Sequence, residues 1–243
     1  MTGRLDSLVR TLRDRELDAL LVSDMVNVRY LSGFTGTNGA CLVGEGLRDF
    51  FTDFRYVEQA AAEVSDMERA AAGRDLLRDV CKRVADAGVH RLGFEDAHVT
   101  VRTHARLREH LPEDVELVAA GELVEDLRAI KDERELEAIR AAATIGTEVL
   151  ERLRETGFAG RSERELARTL EDDMRDRGAE PAFPTIVAGG PRGALPHASP
   201  GDASIEAGEL VVVDFGCLLD GYCSDCTRTL AAGDPGDRPR EVY

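Results

Sequence analysis

Three shortages bound what this chain can be. Of its 31 basic residues only Lys82 and Lys131 are lysines, and acidic residues exceed basic ones by 47 to 31, for a net charge of -16. Binding a phosphate backbone needs a basic face, so no nucleic-acid partner is expected. Acidic, arginine-rich and lysine-poor composition fits a salt-adapted organism with a GC-rich genome, or simply an ordinary acidic protein. No run approaches the roughly 18 consecutive apolar residues of a spanning helix, so no membrane partner is expected. The start, "MTGRLDSLVRTLRDREL", is charged and lacks the apolar stretch of a signal peptide, which points to a cytoplasmic location. The five cysteines are odd in number and not spaced as a disulfide framework, so reduced thiols are the expectation.

What is present reads as two regions. "LDSLVRTLRDRELDALLVSD" reads as an amphipathic helix followed by a short buried strand, Ala19 to Val22. "NVRYLSGFTGTNGACLVG" reads as strand, glycine-rich turn, strand. Strands and helices then alternate through "RDFFTDFRYVEQAAAE", "RDLLRDVCKRVADAG", "RLGFE", "TVRTHARLREHL" and "VELVAA", which predicts a layered α/β domain. The pattern changes with one long predicted helix, capped by Asp132 with Glu135 three positions on and stopped by Gly157. Ser162 and Glu165 repeat that capping signal for a second helix ending at Gly178. Two helices followed by hairpin-like strands suggest an α+β domain, with a boundary near residues 121–131.

The last region holds "VVVDFGCLLDGYCSDCTRT", with Asp214 and Asp225 in an apolar setting. Asp220-Gly221 between apolar runs signals a two-residue hairpin turn. Leu219 then pairs with Tyr222, Gly216 faces Asp225, and Asp214 faces Thr227. Side chains alternate faces, so Asp214, Thr227 and Asp225 share one, with the two carboxylates roughly 5–8 Å apart at Cβ. Ionised carboxylates that close and buried repel each other unless a divalent cation compensates them, and manganese, cobalt or zinc would suit such donors. The alternative is that Asp214 caps a turn and Asp225 lies on a solvated edge. Cys223 and Cys226 form a C-x-x-C, but on a strand they point to opposite faces, and no second such pair completes a zinc site.

Four ordered segments resemble the creatinase/prolidase/methionine aminopeptidase superfamily, the pita-bread metallopeptidases, and within it the Xaa-Pro aminopeptidases and dipeptidases. They are "NVRYLSGFTGTNGACLV", "LRAIKDERELEAIRAAATI", "FPTIVAGGPRGALPHASPGD" and "GELVVVDFGCLLDGYCSDCTRTL". The resemblance implies a creatinase-type α/β N-terminal domain, a mixed sheet with flanking helices, over residues 1–125. An incomplete α+β pita-bread domain would follow over 126–243. It implies that Asp214 and Asp225 are metal ligands in a site for two divalent ions, and that His197 is a catalytic group contacting the substrate. The implied reaction is hydrolysis of the peptide bond before proline in proline-containing peptides, by a metal-bridging hydroxide. A homodimer through the N-terminal domain is a further implication. Thr227 and Arg228, beside Asp225, would support the ligands or simply pair within the structure.

The resemblance also implies five ligands, the other three being a histidine and two glutamates after the hairpin. Here His197 is the last histidine and Glu241 the only glutamate after Glu209. The expectation is a C-terminally truncated chain without activity as it stands. The competing readings are a non-catalytic binding module on the same scaffold and a creatinase-like hydrolase. The paired aspartates count against both.

Overall fold

In this computed structural model, which describes residues 2–71, 73 and 75–242, the first strand is β1 (Ala19–Val22), apolar at every position. That pattern requires cover on both faces, and both are covered. Leu20 and Val22 pack into one hydrophobic cluster, Ala19 and Leu21 into another. Around β1 lie β2 (Gly39–Gly44), β3 (Leu47–Thr52), β4 (Glu68–Ala71), β5 (Arg91–Phe94) and β6 (Glu116–Ala119), in the sheet order β4-β3-β2-β1-β5-β6. The sheet is mixed. The pairs β1/β2 and β2/β3 are antiparallel, while β1/β5, β5/β6 and β3/β4 are parallel. One cluster takes Leu5, Leu8 and Leu12 of α1 (Thr2–Asp14), Val28 and Leu31 of α2 (Met25–Ser32), Ala60 of α3 (Val57–Glu63) and Leu123 of α6 (Leu123–Ala129). The other takes Val80 and Val84 of α4 (Leu76–Asp86) and Leu107 of α5 (Val101–His110). This is the layered α/β domain that the alternating pattern predicts, and the mixed sheet with flanking helices that the resemblance implies.

One expectation fails here. Residues from Asn27 to Ser32, read as a strand, are helix α2. Asp24 caps its start by accepting from the Val26 amide, and Gly33 closes its end in the left-handed region at φ 80°. The buried carboxylate of Glu95 also takes the amides of Ser23 and Asp24, at 2.6 and 2.8 Å. Caps at both ends outweigh the strand preference of Val28 and Tyr30.

The chain divides into two compact units, one ending at Ile130 and the other beginning at Lys131. The second opens with α7 (Glu133–Thr156) and α8 (Glu163–Asp176). Both carry the predicted reciprocal caps, Asp132 with Glu135 and Ser162 with Glu165. Then follow β7 (Glu180–Pro181), β8 (Ile186–Gly189), a 3-10 turn (Gly190–Ala194), β9 (Leu210–Phe215), β10 (Cys217–Leu219), β11 (Tyr222–Cys223), β12 (Cys226–Ala231) and α9 (Asp237–Val242). They form two three-stranded sheets, β11-β10-β7 and β12-β9-β8. Val149, Leu150 and Leu153 of α7 and Leu166, Leu170 and Met174 of α8 bury against Val187, Val211, Val213 and Phe215 of the strands. Burying such side chains contributes about 1.5–3 kcal/mol each, which fixes which face of β9 points inward. Among the described residues no helix is long and apolar enough to cross a membrane.

Candidate functional site

The hairpin turn is built as its sequence requires. Asp220 and Gly221 both have positive φ, 49° and 81°, as a two-residue primed turn demands. From it the predicted register runs outward. Leu219 pairs with Tyr222 and Leu218 with Cys223, then Phe215 with Cys226 and Asp214 with Thr227. Between these pairs the Ser224 amide donates to the Cys217 carbonyl at 2.8 Å. The Ser224 hydroxyl accepts from the Cys217 amide at 3.1 Å and donates to the Ala142 carbonyl at 3.2 Å. Gly216 sits so close to the partner strand that a Cβ there would stand 2.1 Å from the Ser224 carbonyl oxygen. The two strands therefore press together just where the carboxylates sit on either side.

Along β9, Val211, Val213 and Phe215 point into the core while Leu210, Val212 and Asp214 occupy the other, half-buried face. Asp214 accepts a hydrogen bond from the Thr227 hydroxyl at 2.6 Å, which puts both side chains on that face. The expectation of two buried carboxylates is corrected, since Asp214 is half-buried and Asp225 exposed. The apolar run "VVVDFG" reflects one buried face, not two. Arg228 turns from the carboxylates and donates to the Thr227 carbonyl at 2.7 Å. Cys226 packs toward the core while Cys223 is exposed, so the C-x-x-C is split across the strand.

His197 is exposed, on the loop after the 3-10 turn Gly190–Ala194. That turn lies against the same face of β9 as Asp214, because a Cβ on Gly193 would stand 3.2 Å from the Cγ2 of Val212. The structure thus brings Asp214, Thr227 and the His197 loop to one face. A residue that sequence reasoning missed holds the loop's ends. Glu163 is fully buried, and its carboxylate receives the amides of Gly189 at 3.0 Å and Gly201 at 2.8 Å and the Arg192 Nε at 2.9 Å. Burial works to raise its pKa, but these donors outweigh it and hold the carboxyl below the usual carboxylate range. No local signal marks Glu163, because its partners lie 26 to 38 positions away.

Among the described residues no three His, Cys, Asp or Glu side chains form a group that could hold a metal ion. Asp214 and Asp225 are hard oxygen donors of the right kind for a divalent cation. One Asp214 oxygen is already engaged by Thr227, and a divalent ion takes four to eight donors. The carboxylates therefore match such an ion in kind but fall short in number.

Comparison with known proteins identifies the family and the fold. Residues 4–130 match the Creatinase/Prolidase N-terminal domain, and residues 137–243 match Metallopeptidase family M24. The chain is 39% identical to the uncharacterized peptidase YqhT of Bacillus subtilis over 99% of its own length and 68% of that protein's. It is 31% identical to the Xaa-Pro dipeptidase of Pyrococcus furiosus, covering all of this chain and 68% of the relative. The solved Xaa-Pro dipeptidase from Bacillus anthracis superposes with a TM-score of 0.95 at 36% identity, over all of this chain and 68% of that one. By these matches, this chain belongs to the M24 metallopeptidase family and carries a creatinase/prolidase N-terminal domain before its M24 region.

Proposed function

We propose that this chain carries the Asp214, Asp225 and His197 portion of an Xaa-Pro peptidase site, one that hydrolyses the peptide bond before proline in proline-containing peptides. One observation supports this most. A single hairpin face presents Asp214, oriented by Thr227, and receives the turn leading to His197. In this reading Asp214 and Asp225 are ligands for divalent ions. The imidazole of His197 donates a hydrogen bond to the substrate carbonyl, or to the oxyanion that develops from it. The Thr227 hydroxyl keeps Asp214 in one rotamer, so that its remaining lone pairs face outward. With two carboxylates and no third donor among the described residues, residues 1–243 alone neither hold the ions tightly nor hydrolyse peptides.

The test is complementation. Residues 1–243 are assayed with an Xaa-Pro dipeptide and manganese, alone and fused to the remaining third of the Pyrococcus furiosus Xaa-Pro dipeptidase. Turnover is expected only in the fusion, and Asp225→Ala should abolish both turnover and tight manganese binding by isothermal titration. Hydrolysis by residues 1–243 alone would refute the proposed division of the site. Full activity in the Asp225→Ala fusion would refute the ligand assignment.

A further inference from the structure

Glu163 stands at the first position of α8, and its side chain is 1% exposed. A carboxylate at a helix N-terminus is favourable on the helix dipole alone, but this one is spent on a distant segment. Its Oε1 accepts from the Gly189 amide and from Arg192 Nε, its Oε2 from Arg192 Nε and the Gly201 amide, all between 2.8 and 3.0 Å. Arg192 passes the contact on, donating through Nη2 to the Ser199 carbonyl at 2.7 Å. The outgoing limb is stitched to the same helix start. The Arg164 amide donates to the Gly201 carbonyl at 3.0 Å, and the Glu163 amide to the Ala203 carbonyl at 3.2 Å. Residues 189 and 201 are thus the two ends held by Glu163, residues 192 and 199 the two points held by Arg192, and His197 lies inside both spans.

We propose that Glu163 and Arg192 are positioning residues for His197. The carboxylate fixes both ends of the 189–201 loop and the guanidinium fixes its middle, so that the loop keeps one conformation against the hairpin face that carries Asp214. The role of the histidine itself rests on the function proposed above. Three converging N–H donors require a group that only accepts, and a carboxylate is that group. A glutamine would turn its NH2 against at least one of them. An exposed ion pair holds little, whereas a buried carboxylate whose remaining lone pairs are filled by backbone amides makes stronger, charge-assisted bonds. A loop released from these points would spread His197 over many conformations, and catalytic groups misplaced by about 1 Å lose on the order of a hundredfold in rate.

The test compares residues 1–243 with their Glu163→Gln, Arg192→Gln and Arg192→Lys variants. It reads amide hydrogen exchange along the chain and the ¹H–¹⁵N heteronuclear NOE of the His197 amide. Glu163→Gln should speed exchange over 189–201 by about tenfold or more and lower the His197 NOE, with α7 unchanged. Arg192→Gln should loosen residues 192–199. Arg192→Lys, which keeps the charge without the fork, should restore part of that protection. Unchanged exchange in Glu163→Gln would overturn the proposal. So would a uniform rise that includes α7, because Glu163 would then support the whole unit and not the loop. If Glu163→Gln does not fold, the Arg192 variants, altered at a side chain that is 40% exposed, decide the question by the same criteria. The histidine is tested separately, by His197→Ala in the fusion protein, so that a mobile loop and a dispensable histidine are told apart.

Discussion

Replacing Gly216 by alanine strikes the hairpin where its strands are closest. The new methyl would lie 2.1 Å from the Ser224 carbonyl oxygen, 2.7 Å from Phe183 Cε1 and 3.2 Å from the Ser224 carbonyl carbon. Ordinary carbon–oxygen contact is about 3.3 Å, so one strand must move by about 1 Å. The obstacle is backbone, and its residue is bonded through the Ser224 amide to the Cys217 carbonyl at 2.8 Å. Overpacking costs about 1–3 kcal/mol and loss of that hydrogen bond about 1 kcal/mol, so a destabilisation of about 3 kcal/mol is expected. Gly146, in the middle of α7, faces the same hairpin and makes the control. A Cβ there meets nothing nearer than Phe215 at 3.5 Å, an ordinary contact. Gly146→Ala should therefore stabilise by about 1 kcal/mol through helix propensity. Urea unfolding is read by pulse-labelling exchange at α7, so that the signal comes from this unit alone. A Gly216→Ala protein within about 0.5 kcal/mol of the parent would refute the close approach. A destabilised Gly146→Ala would refute the packing assigned to α7.

Two further outcomes follow from burial and charge. Because Glu163 has its pKa lowered in the fold, its contribution is complete above its unfolded value of about 4.5 and is lost as pH falls through the lower folded value. Exchange protection of residues 189–201, corrected for intrinsic rates, should stay flat above about pH 4.5 and be lost as the pH falls further below it. The Glu163→Gln protein should show no such loss. Burial pushes the Cys81 thiol up to about 11 and also raises Cys41 and Cys217, so a thiol reagent should label exposed Cys223 first, Cys226 more slowly, and the other three only in urea. Fast labelling of a third thiol under native conditions would contradict the burial of these residues.

The parts of this structure that local chemistry decides were legible in the sequence. Asp220-Gly221 permits one turn, and that turn sets the register through to Asp214 opposite Thr227. The caps Asp132–Glu135 and Ser162–Glu165 were equally readable, because each is complete within four residues. What distant contacts decide was not. Helix α2 carried a cap at Asp24 and a stop at Gly33, yet Val28 and Tyr30 read as strand, and the carboxylate that anchors its start comes from Glu95. The exposure of Asp225 depends on which face of the hairpin α7 and α8 cover, which no window of sequence states. Glu163 carried no signal in the sequence at all, because its partners lie 26 to 38 positions away.

The sheet order β12-β9-β8 has one more consequence. Among the described strands, β12 pairs with β9 on one side and with nothing on the other. Apart from the Thr227 carbonyl, which Arg228 occupies at 2.7 Å, its outward amides and carbonyls are a ready template for a strand from another molecule. Along Cys226–Ala231 the only charge is Arg228. The ladder that sets Asp214 against Thr227 thus ends in an adhesive border guarded by one guanidinium. At high concentration, residues 1–243 would stack edge to edge through β12, and the sensitivity of that association to salt would report how much Arg228 restrains it.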